Sequence, residues 1–244
     1  MIRRLFFIFC FILTASLVAS YDFPAPGGKI TSSFGSMGKG QFCTGIEIQT
    51  GDVLASEDGE VLFLGEDFIA LAHDDSILTL YSDVEASDML SRNIYVKKGQ
   101  NIGRTRAGTL AFAVYDLEMQ QYINPLLMTE TVKKSELPKI KGISFDGDQE
   151  GLSVYVDDRG FTGLYRIHVS IDGKVVSTLG FRTIKRSGDD LVLDAGSFEY
   201  GKLYGRQGAF TFSGIGLKQG NNNVDIIVED FYGKKAVFHG RITV

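Results

Sequence analysis

The apolar residues of this chain occur in short runs, and the length of these runs restricts the fold. Four runs in the first half read GEVLFLG, FIALAH, ILTLYSDV and LAFAVYDLE, and they end at turn residues. Each has about five to seven residues and is rich in β-branched and aromatic types. No window of about twelve residues has a convincing helical period, although EASDMLSR is compatible with one or two helical turns. The pattern predicts an all-β protein of antiparallel strands.

The chain is long enough for two domains. Its 244 residues fit two domains of about 100 residues each better than one. The segment TETVKKSELPKIKG, residues 129–142, is charged, contains Pro138 and lacks apolar alternation. We therefore predict a linker at 129–142, a first domain at 21–128 and a second domain at 143–244.

The second half has cleaner strand alternation than the first. In YRIHVSIDGKVVSTL the apolar residues recur at every second position, and Asp172-Gly173 predicts a tight hairpin turn. The last 25 residues repeat this pattern around a turn at Tyr232-Gly233. The predicted core-facing residues are Ile167, Val169, Ile171, Val224, Ile226 and Val228. Strands spaced about ten residues apart predict a small immunoglobulin-like β-sandwich, in architecture only, because the Cys and Trp of true immunoglobulin domains are missing.

The first twenty residues have the composition of a secretory signal peptide. Arg3 and Arg4 precede an apolar run, which ends in the small residues Val18-Ala19-Ser20. We predict cleavage near Ser20 and export, with no stable membrane span in the mature chain; the alternative is an uncleaved N-terminal anchor.

Cleavage would change the cysteine count and the charge. Cys10 would leave with the signal, so Cys43 would be the only thiol and no intrachain disulfide could form. Losing two basic residues takes the formal net charge from −5 to about −7. Because no Lys/Arg stripe occurs elsewhere, a nucleic-acid partner is not expected.

Five segments of the first half occur in the order and spacing of a known family. They are FPAPGGKITSSFG, CTGIEIQTGDVLASEDGEVLFLG, LTLYSDV, VKKGQNIGRT, and TLAFAVYD followed by INPLLM. Over roughly residues 23–128 the chain resembles the LytM-type (lysostaphin-like) zinc endopeptidases of peptidase family M23. Proteins of that family cut the cross-links of peptidoglycan.

The differences from the family fall on its functional positions. The resemblance places Cys43, Glu47 and Ala111 where the family has its zinc ligands, a His, an Asp and a second His. Thr109 stands where the family has the first His of a His-x-His pair. Asp83 stands where it has another His, after a Tyr. All five functional positions are changed.

These changes argue against hydrolysis. A catalytic zinc needs about three protein ligands and an open position for water. Cys43 and Glu47 have donor atoms, but the methyl group of Ala111 does not. Thr109 cannot accept a proton near neutral pH, and Asp83 is a lone carboxylate. We therefore predict a pseudoenzyme without catalytic residues, metal or cofactor, in which Cys43, Glu47, Asp83, Thr109 and Ala111 form a vestigial groove.

Other residues have two interpretations each. His73 is either a replacement ligand or a turn residue that contacts Asp74, Asp75 or backbone. Cys43 is either a reactive thiol or a small buried hydrophobe. His168 and His239 alternate with apolar neighbours and are predicted to face outward.

The acidic pairs and the aromatic segment of the second half are also ambiguous. Asp157-Asp158 and Asp189-Asp190 lack the spacing of a calcium loop, so turns are the simpler prediction. In YGKLYGRQGAFTF, Tyr200 or Tyr204 either stacks on a glycan or belongs to a strand and turn.

Three functions compete at this stage. The first is an inactive LytM-like protein of the bacterial envelope that binds peptidoglycan or activates a separate peptidoglycan amidase in wall remodelling or division. The second is a zinc endopeptidase with a rearranged site of Cys43, Glu47 and Asp83, with or without His73. The third is a purely structural or adhesive envelope protein. All three place the protein in the periplasm or envelope of a bacterium.

Overall fold

The prediction of an all-β protein is confirmed. The computed structural model describes residues 21–37, 41–74, 76–129, 137–146, 151–157, 163–193, 198–204 and 209–244. The predicted signal peptide lies outside these residues. Within them, no helix is both long enough and apolar enough to cross a membrane.

The described part of the first half consists of short strands and one 3₁₀ turn, Pro125–Leu127. The strands are β1 (Lys29–Ser32), β2 (Ile46–Gln49), β3 (Asp52–Leu54), β4 (Gly59–Leu64), β5 (Phe68–Ala72), β6 (Ile77–Ser82), β7 (Val84–Ala86), β8 (Tyr95–Val96), β9 (Asn101–Thr105), β10 (Thr109–Asp116) and β11 (Gln121–Ile123). In EASDMLSR, Glu85 and Ala86 end β7, and the residues after them form a turn closed from Leu90 N to Ser87 O, at 2.9 Å, and not a helix.

Among its described residues, the second half adds ten strands and one helical turn, α1 (Tyr200–Leu203). The strands are β12 (Lys139–Asp146), β13 (Gly151–Asp157), β14 (Leu164–Ile171), β15 (Lys174–Gly180), β16 (Thr183–Ser187), β17 (Asp190–Leu193), β18 (Phe198–Glu199), β19 (Phe210–Ser213), β20 (Asn221–Asp230) and β21 (Lys235–Thr243).

The central sheet of the first half has one core face and one open face. Strands β4, β5, β6 and β10 pair antiparallel in that order, and β2 pairs with β10 on the other side. Successive side chains of a strand point to opposite faces. The core face carries buried Ile46, Ile48, Ile69, Leu71, Tyr81, Leu110, Phe112 and Val114. The opposite face carries the residues of the candidate site.

The central sheet continues from the first half into the second. Strand β11 pairs antiparallel with β16 through Gln121–Lys185, Tyr122–Ile184 and Ile123–Thr183, and β17 and β18 extend the sheet. Residues 130–136 of the predicted linker lie outside the described residues, and the domain boundaries stay a prediction. Backbone hydrogen bonds between β11 and β16 therefore join the two halves, in addition to the covalent chain.

The hairpins predicted in the second half are confirmed. Strands β14 and β15 are joined by Asp172 and Gly173, with φ of 49° and 77°, and β20 and β21 turn at Gly233, with φ of 76°. A two-residue hairpin turn of this type needs positive φ at both positions, which Asp and Gly tolerate. The six predicted core-facing residues are all buried. Two antiparallel sheets result, β15-β14-β20-β21 and β12-β13-β19; the immunoglobulin-like assignment stays a prediction.

A buried tyrosine, Tyr81, should make the first half less stable at alkaline pH. Ser56 N donates to Tyr81 Oη at 3.0 Å, and Tyr81 Oη donates to Ser56 Oγ at 3.3 Å. Burial raises the pKa of Tyr81 above its ordinary value of about 10. The fold thus favours the neutral phenol, so this stabilisation is complete below about pH 10 and is lost as the pH rises further.

We expect the free energy of unfolding to fall between about pH 8 and pH 11, and to fall less in Tyr81→Phe. At pH 8 the variant should be about 1–3 kcal/mol less stable, because Ser56 N loses its acceptor. Urea unfolding of both proteins at the two pH values checks this. An equal loss of stability in the two proteins would show that Tyr81 does not contribute.

Candidate functional site

Glu47 and Ala111, two of the positions that the motif resemblance matches to zinc ligands, lie directly opposite each other in the sheet. Glu47 of β2 pairs with Ala111 of β10, which pairs on its other side with Ser82 of β6, and Ser82 pairs with Phe68 of β5. Directly opposed residues of paired strands have side chains on the same face. The row from Glu47 to Phe68 therefore crosses four strands on the open face.

This row lies in a groove of about 340 Å³. Its polar lining includes Cys43, Thr44, Glu47 and Ser82, and its apolar lining includes Phe68, Leu80, Ala111, Ala113 and Tyr122. Glu47 is exposed, and Ala111 and Ser82 are half-buried. The open face thus has an apolar floor with a carboxylate on one side.

Cys43 belongs to the wall of the groove next to β2. Its thiol is half-buried, with Sγ 3.4 Å from Gly45 O, and Ser32 Oγ is 4.0 Å from Sγ. Gly45 brings this wall against β10: a Cβ at this position would lie 2.2 Å from Phe112 O. The FCTGIEI segment therefore approaches β10 closely because its fourth residue has no side chain.

Thr109 and Asp83 lie at the end of the groove, beyond its lining. Thr109 is two residues before Ala111 on the same face of β10 and pairs with Gln49. Asp83 follows Ser82, is exposed and has a φ of 63°. The chain therefore brings Cys43, Glu47 and Ala111 together in the groove and places Thr109 and Asp83 beside it.

The zinc ion of the LytM-type enzymes does not fit the residues of this groove. Cys43 and Glu47 are its only lining side chains of a common zinc-ligand type among the described residues. Across the part of the chain that the structure describes, no group of three His, Cys, Asp or Glu side chains is placed to hold a metal. The described lining therefore offers two of the about three protein ligands that a catalytic zinc needs.

His73 is a core residue and does not reach the groove. Its Nδ1 is 2.8 Å from Asp58 O, its Nε2 is 2.8 Å from Thr79 Oγ1, and its ring packs edge-on against Tyr21 at 5.2 Å. The predicted backbone contact is present, but it is to Asp58 and not within the local turn. Since both ring nitrogens have partners, the interpretation as a replacement ligand is wrong.

Tyr200 and Tyr204 pack against the wall of the groove. Their rings lie 5.3 and 5.8 Å from the ring of Phe42, and Tyr204 Oη donates to Gly35 O. Phe42 is 1% exposed and immediately precedes Cys43. The two tyrosines of the second half therefore hold the segment that forms one wall of the groove in the first half.

The remaining residues singled out in the sequence make local contacts. His168 Nδ1 is 2.8 Å from Thr178 Oγ1, and burial with nearby Arg166 lowers the pKa of His168. His239 Nδ1 is 2.6 Å from Asp225 Oδ1. Asp157 pairs with Lys141 at 3.3 Å, while Asp158 lies outside the described residues. Gly188 and Asp189 form the turn from β16 to β17, and Asp190 is the first residue of β17.

Sequence reasoning did not identify the apolar floor. Phe68, Leu80, Ala113 and Tyr122 come from four strands and have no motif in common. The alternation within ILTLYS and TLAFAVYD indicates which residues share a face of one strand. Only the pairing of β5, β6, β10 and β11 brings the four residues to one groove.

Comparisons with known proteins find similarity over parts of the chain. No curated protein matches it in sequence. A protein-family model matches residues 151–244, which is less than half of the chain.

Solved structures similar to this chain include three with partial coverage. Helicobacter pylori Csd3 is 26% identical with a TM-score of 0.39, over 46% of this chain and 35% of that chain. A chain of the SpoIIQ–SpoIIIAH pore-forming complex is 17% identical with a TM-score of 0.39, over 46% of this chain and 92% of that chain. The catalytic domain of the M23 protein EnpA from Enterococcus faecalis, as a mutant, is 18% identical with a TM-score of 0.37, over 44% and 95%. This chain spans about a third of Csd3.

Proposed function

We propose that this protein is a catalytically inactive, LytM-like protein of the bacterial envelope that binds peptidoglycan or a peptidoglycan hydrolase through its groove. The observation that carries the proposal is the row of Glu47, Ala111 and Ser82 across three strands on an open face. By the motif resemblance, Glu47 and Ala111 occupy ligand positions of a zinc enzyme, and here they line a groove with an apolar floor.

The residues of the groove do not support hydrolysis. Ala111 places a methyl group where the family has a ligand, and Thr109 has no group that accepts a proton near neutral pH. Asp83 is exposed and lies outside the lining. The altered side chains lie on the open face of the central sheet, and the hydrophobic core lies on its opposite face. Replacement of the catalytic groups would therefore leave the sheet intact.

The same groove is suited to binding. Its volume of about 340 Å³ lies at the lower end of the range of ligand pockets, roughly 300–1,000 Å³, and most of its floor is apolar. Concave apolar surfaces that stay open in a folded protein commonly mark interaction sites. A carboxylate at Glu47 adds one fixed charge that can orient a partner.

We expect Ala111→Arg to weaken binding to purified peptidoglycan sacculi or to a purified cell-wall amidase by about 100-fold or more. The arginine would fill the centre of the groove without entering the core, because Ala111 lies on the open face. Co-sedimentation with sacculi and activation of the amidase are the two measurements. Val237→Arg is the matched control, since Val237 is 51% exposed on β21 and lies outside the groove lining.

Unchanged binding of both partners by a folded Ala111→Arg protein would contradict a role for the groove.

A second measurement tests the rival zinc enzyme: zinc content after exposure to one equivalent of zinc, with assay of muropeptide hydrolysis. We expect substoichiometric zinc and no hydrolysis. One zinc per chain, with hydrolysis abolished by Glu47→Ala, would replace this proposal with the enzyme.

A purely structural role is best tested with the full chain. Because β11 pairs with β16, cutting the chain near Pro138 would leave paired strands of the central sheet on separate fragments. Single substitutions in the groove avoid this problem. A structural protein would tolerate Ala111→Arg as well as it tolerates Val237→Arg.

A further inference from the structure

A second cleft continues the groove towards the second half. It has a volume of about 680 Å³ and shares Thr44 and Tyr122 with the groove. Its other lining residues come from both halves: Gln41, Tyr115, Met119 and Gln120 from the first, and Lys185, Arg186, Asp189 and Leu191 from the second. We call this the junction cleft.

The pairing of β11 with β16 places the junction cleft at this position. Tyr122 pairs with Ile184, and Arg186, two residues further along β16, has its side chain on the same face as Ile184. Tyr115 packs edge-on against Tyr122 at 4.9 Å. The groove and the junction cleft therefore meet at Tyr122, and Tyr115, Tyr122 and Arg186 all line the junction cleft.

The charges at the two ends of this surface differ in sign. Glu47 is exposed at the groove end, and Arg186 is exposed at the junction end. Neither Lys185 nor Arg186 forms an ion pair with another described residue, although exposed Asp189 lines the same cleft. Met119, which is 64% exposed, adds apolar surface at the junction.

The length of this surface corresponds to a short extended peptide. On β10, Ala111 lies five residues before Asp116. Asp116 is opposite Gln121 of β11, which is opposite Lys185 of β16, and Arg186 is the next residue of β16. Six strand residues span about 20 Å, so the ends of the surface are about that far apart. An extended segment of about six residues has this length.

We propose that the groove and the junction cleft form one site for an extended segment of a partner protein, with apolar side chains over the floor and an acidic residue at Arg186. This inference rests on the proposed function and names its partner class. A protein segment is favoured over a glycan strand because Phe68, Leu80, Ala111 and Ala113 offer apolar contact and no hydrogen bonds from their side chains. The acidic residue is assigned from charge complementarity with Arg186.

The test uses two synthetic eight-residue peptides with a fluorescent label. Both have a centre of alternating leucine, alanine and phenylalanine; one ends in glutamate and the other in glutamine. We expect the wild-type chain to bind the glutamate peptide more tightly in fluorescence anisotropy. We expect Arg186→Glu to weaken binding of the glutamate peptide by about fivefold and binding of the glutamine peptide by less than about twofold. Lys174→Glu, a charge reversal at the exposed β14–β15 turn, is the matched control and should change neither.

The outcomes separate this inference from the function on which it rests. If Ala111→Arg abolishes peptide binding and Arg186→Glu discriminates the two peptides, one continuous site is supported. If Ala111→Arg abolishes binding but Arg186→Glu affects both peptides equally, the junction cleft is not part of the site and the groove function stands. If sacculi bind and neither peptide does, the partner class is wrong and the wall is the ligand. If Arg186→Glu weakens binding while Ala111→Arg does not, both proposals fail.

Discussion

Gly45→Ala should lower the free energy of unfolding by about 3 kcal/mol. A Cβ at this position would lie 2.2 Å from Phe112 O and 2.9 Å from Phe112 C, and both atoms belong to the backbone of the central strand β10. A flexible side chain could move away from a new methyl group, but a paired strand cannot do so without losing hydrogen bonds. Strand β2 must therefore shift, and the groove wall with it.

Chemical denaturation of Gly45→Ala and Gly51→Ala measures this effect against a matched control. A Cβ at Gly51 would have no heavy atom within 4 Å beyond its chain neighbours, and Gly51 has no positive φ. Its replacement should leave stability unchanged or raise it by about 0.5 kcal/mol, because alanine restricts the unfolded chain. Similar stabilities for the two variants would mean that β2 is not held against β10 as described.

Phe42→Ala should lower the free energy of unfolding by about 3–5 kcal/mol. Phe42 is 1% exposed and lies against Tyr200 and Tyr204 of the second half. Its removal leaves a cavity between parts of the chain that are far apart in sequence, so local rearrangement cannot refill it easily. The partner-binding affinity should fall as well, because Phe42 positions Cys43 and Thr44 in the wall of the groove.

Urea unfolding and the partner-binding assay together check the role of Phe42. Met89→Ala is the control, since Met89 is 81% exposed and its truncation should change stability by less than about 0.5 kcal/mol. If Phe42→Ala were as stable as Met89→Ala, the aromatic contacts between the halves would not stabilise the fold. If stability fell and partner binding did not, the wall would be unnecessary for binding.

These two residues show that the stretch FCTGIEI has a structural role that does not depend on zinc. Phe42 anchors the stretch to the second half, and Gly45 allows it to approach β10. Cys43 and Glu47 are the positions that face the groove. A chain can therefore retain the shape of this segment while the chemistry of its two groove-facing side chains changes.

Local patterns in the sequence predicted the strands well. The buried positions of β14 and β20 follow from the alternation of Ile167, Val169 and Ile171 with polar neighbours. The turn at Asp172-Gly173 follows from the tolerance of these two residues for positive φ. Both features depend on residues next to each other in the chain, so they can be predicted without knowing the sheet order.

Predictions that depended on distant residues were less successful. His73 was predicted to be a replacement ligand or a turn residue that contacts Asp74, Asp75 or backbone; its backbone contact is to the more distant Asp58, and its other partner is Thr79. Tyr200 was left open between a glycan platform and a strand and turn; it begins the helical turn α1, and its ring packs against Phe42. In each case the deciding neighbour comes from another strand or from the other half of the chain.

The sequence by itself determined that the protein is all-β and where the hairpins of its second half turn. Tertiary structure alone decided that Glu47, Ala111 and Ser82 form one row, that β11 pairs with β16, and that the groove continues to Arg186. The physical reason is that the alternation of a strand depends on adjacent residues, whereas the choice of a strand's partner depends on the packing of the whole chain.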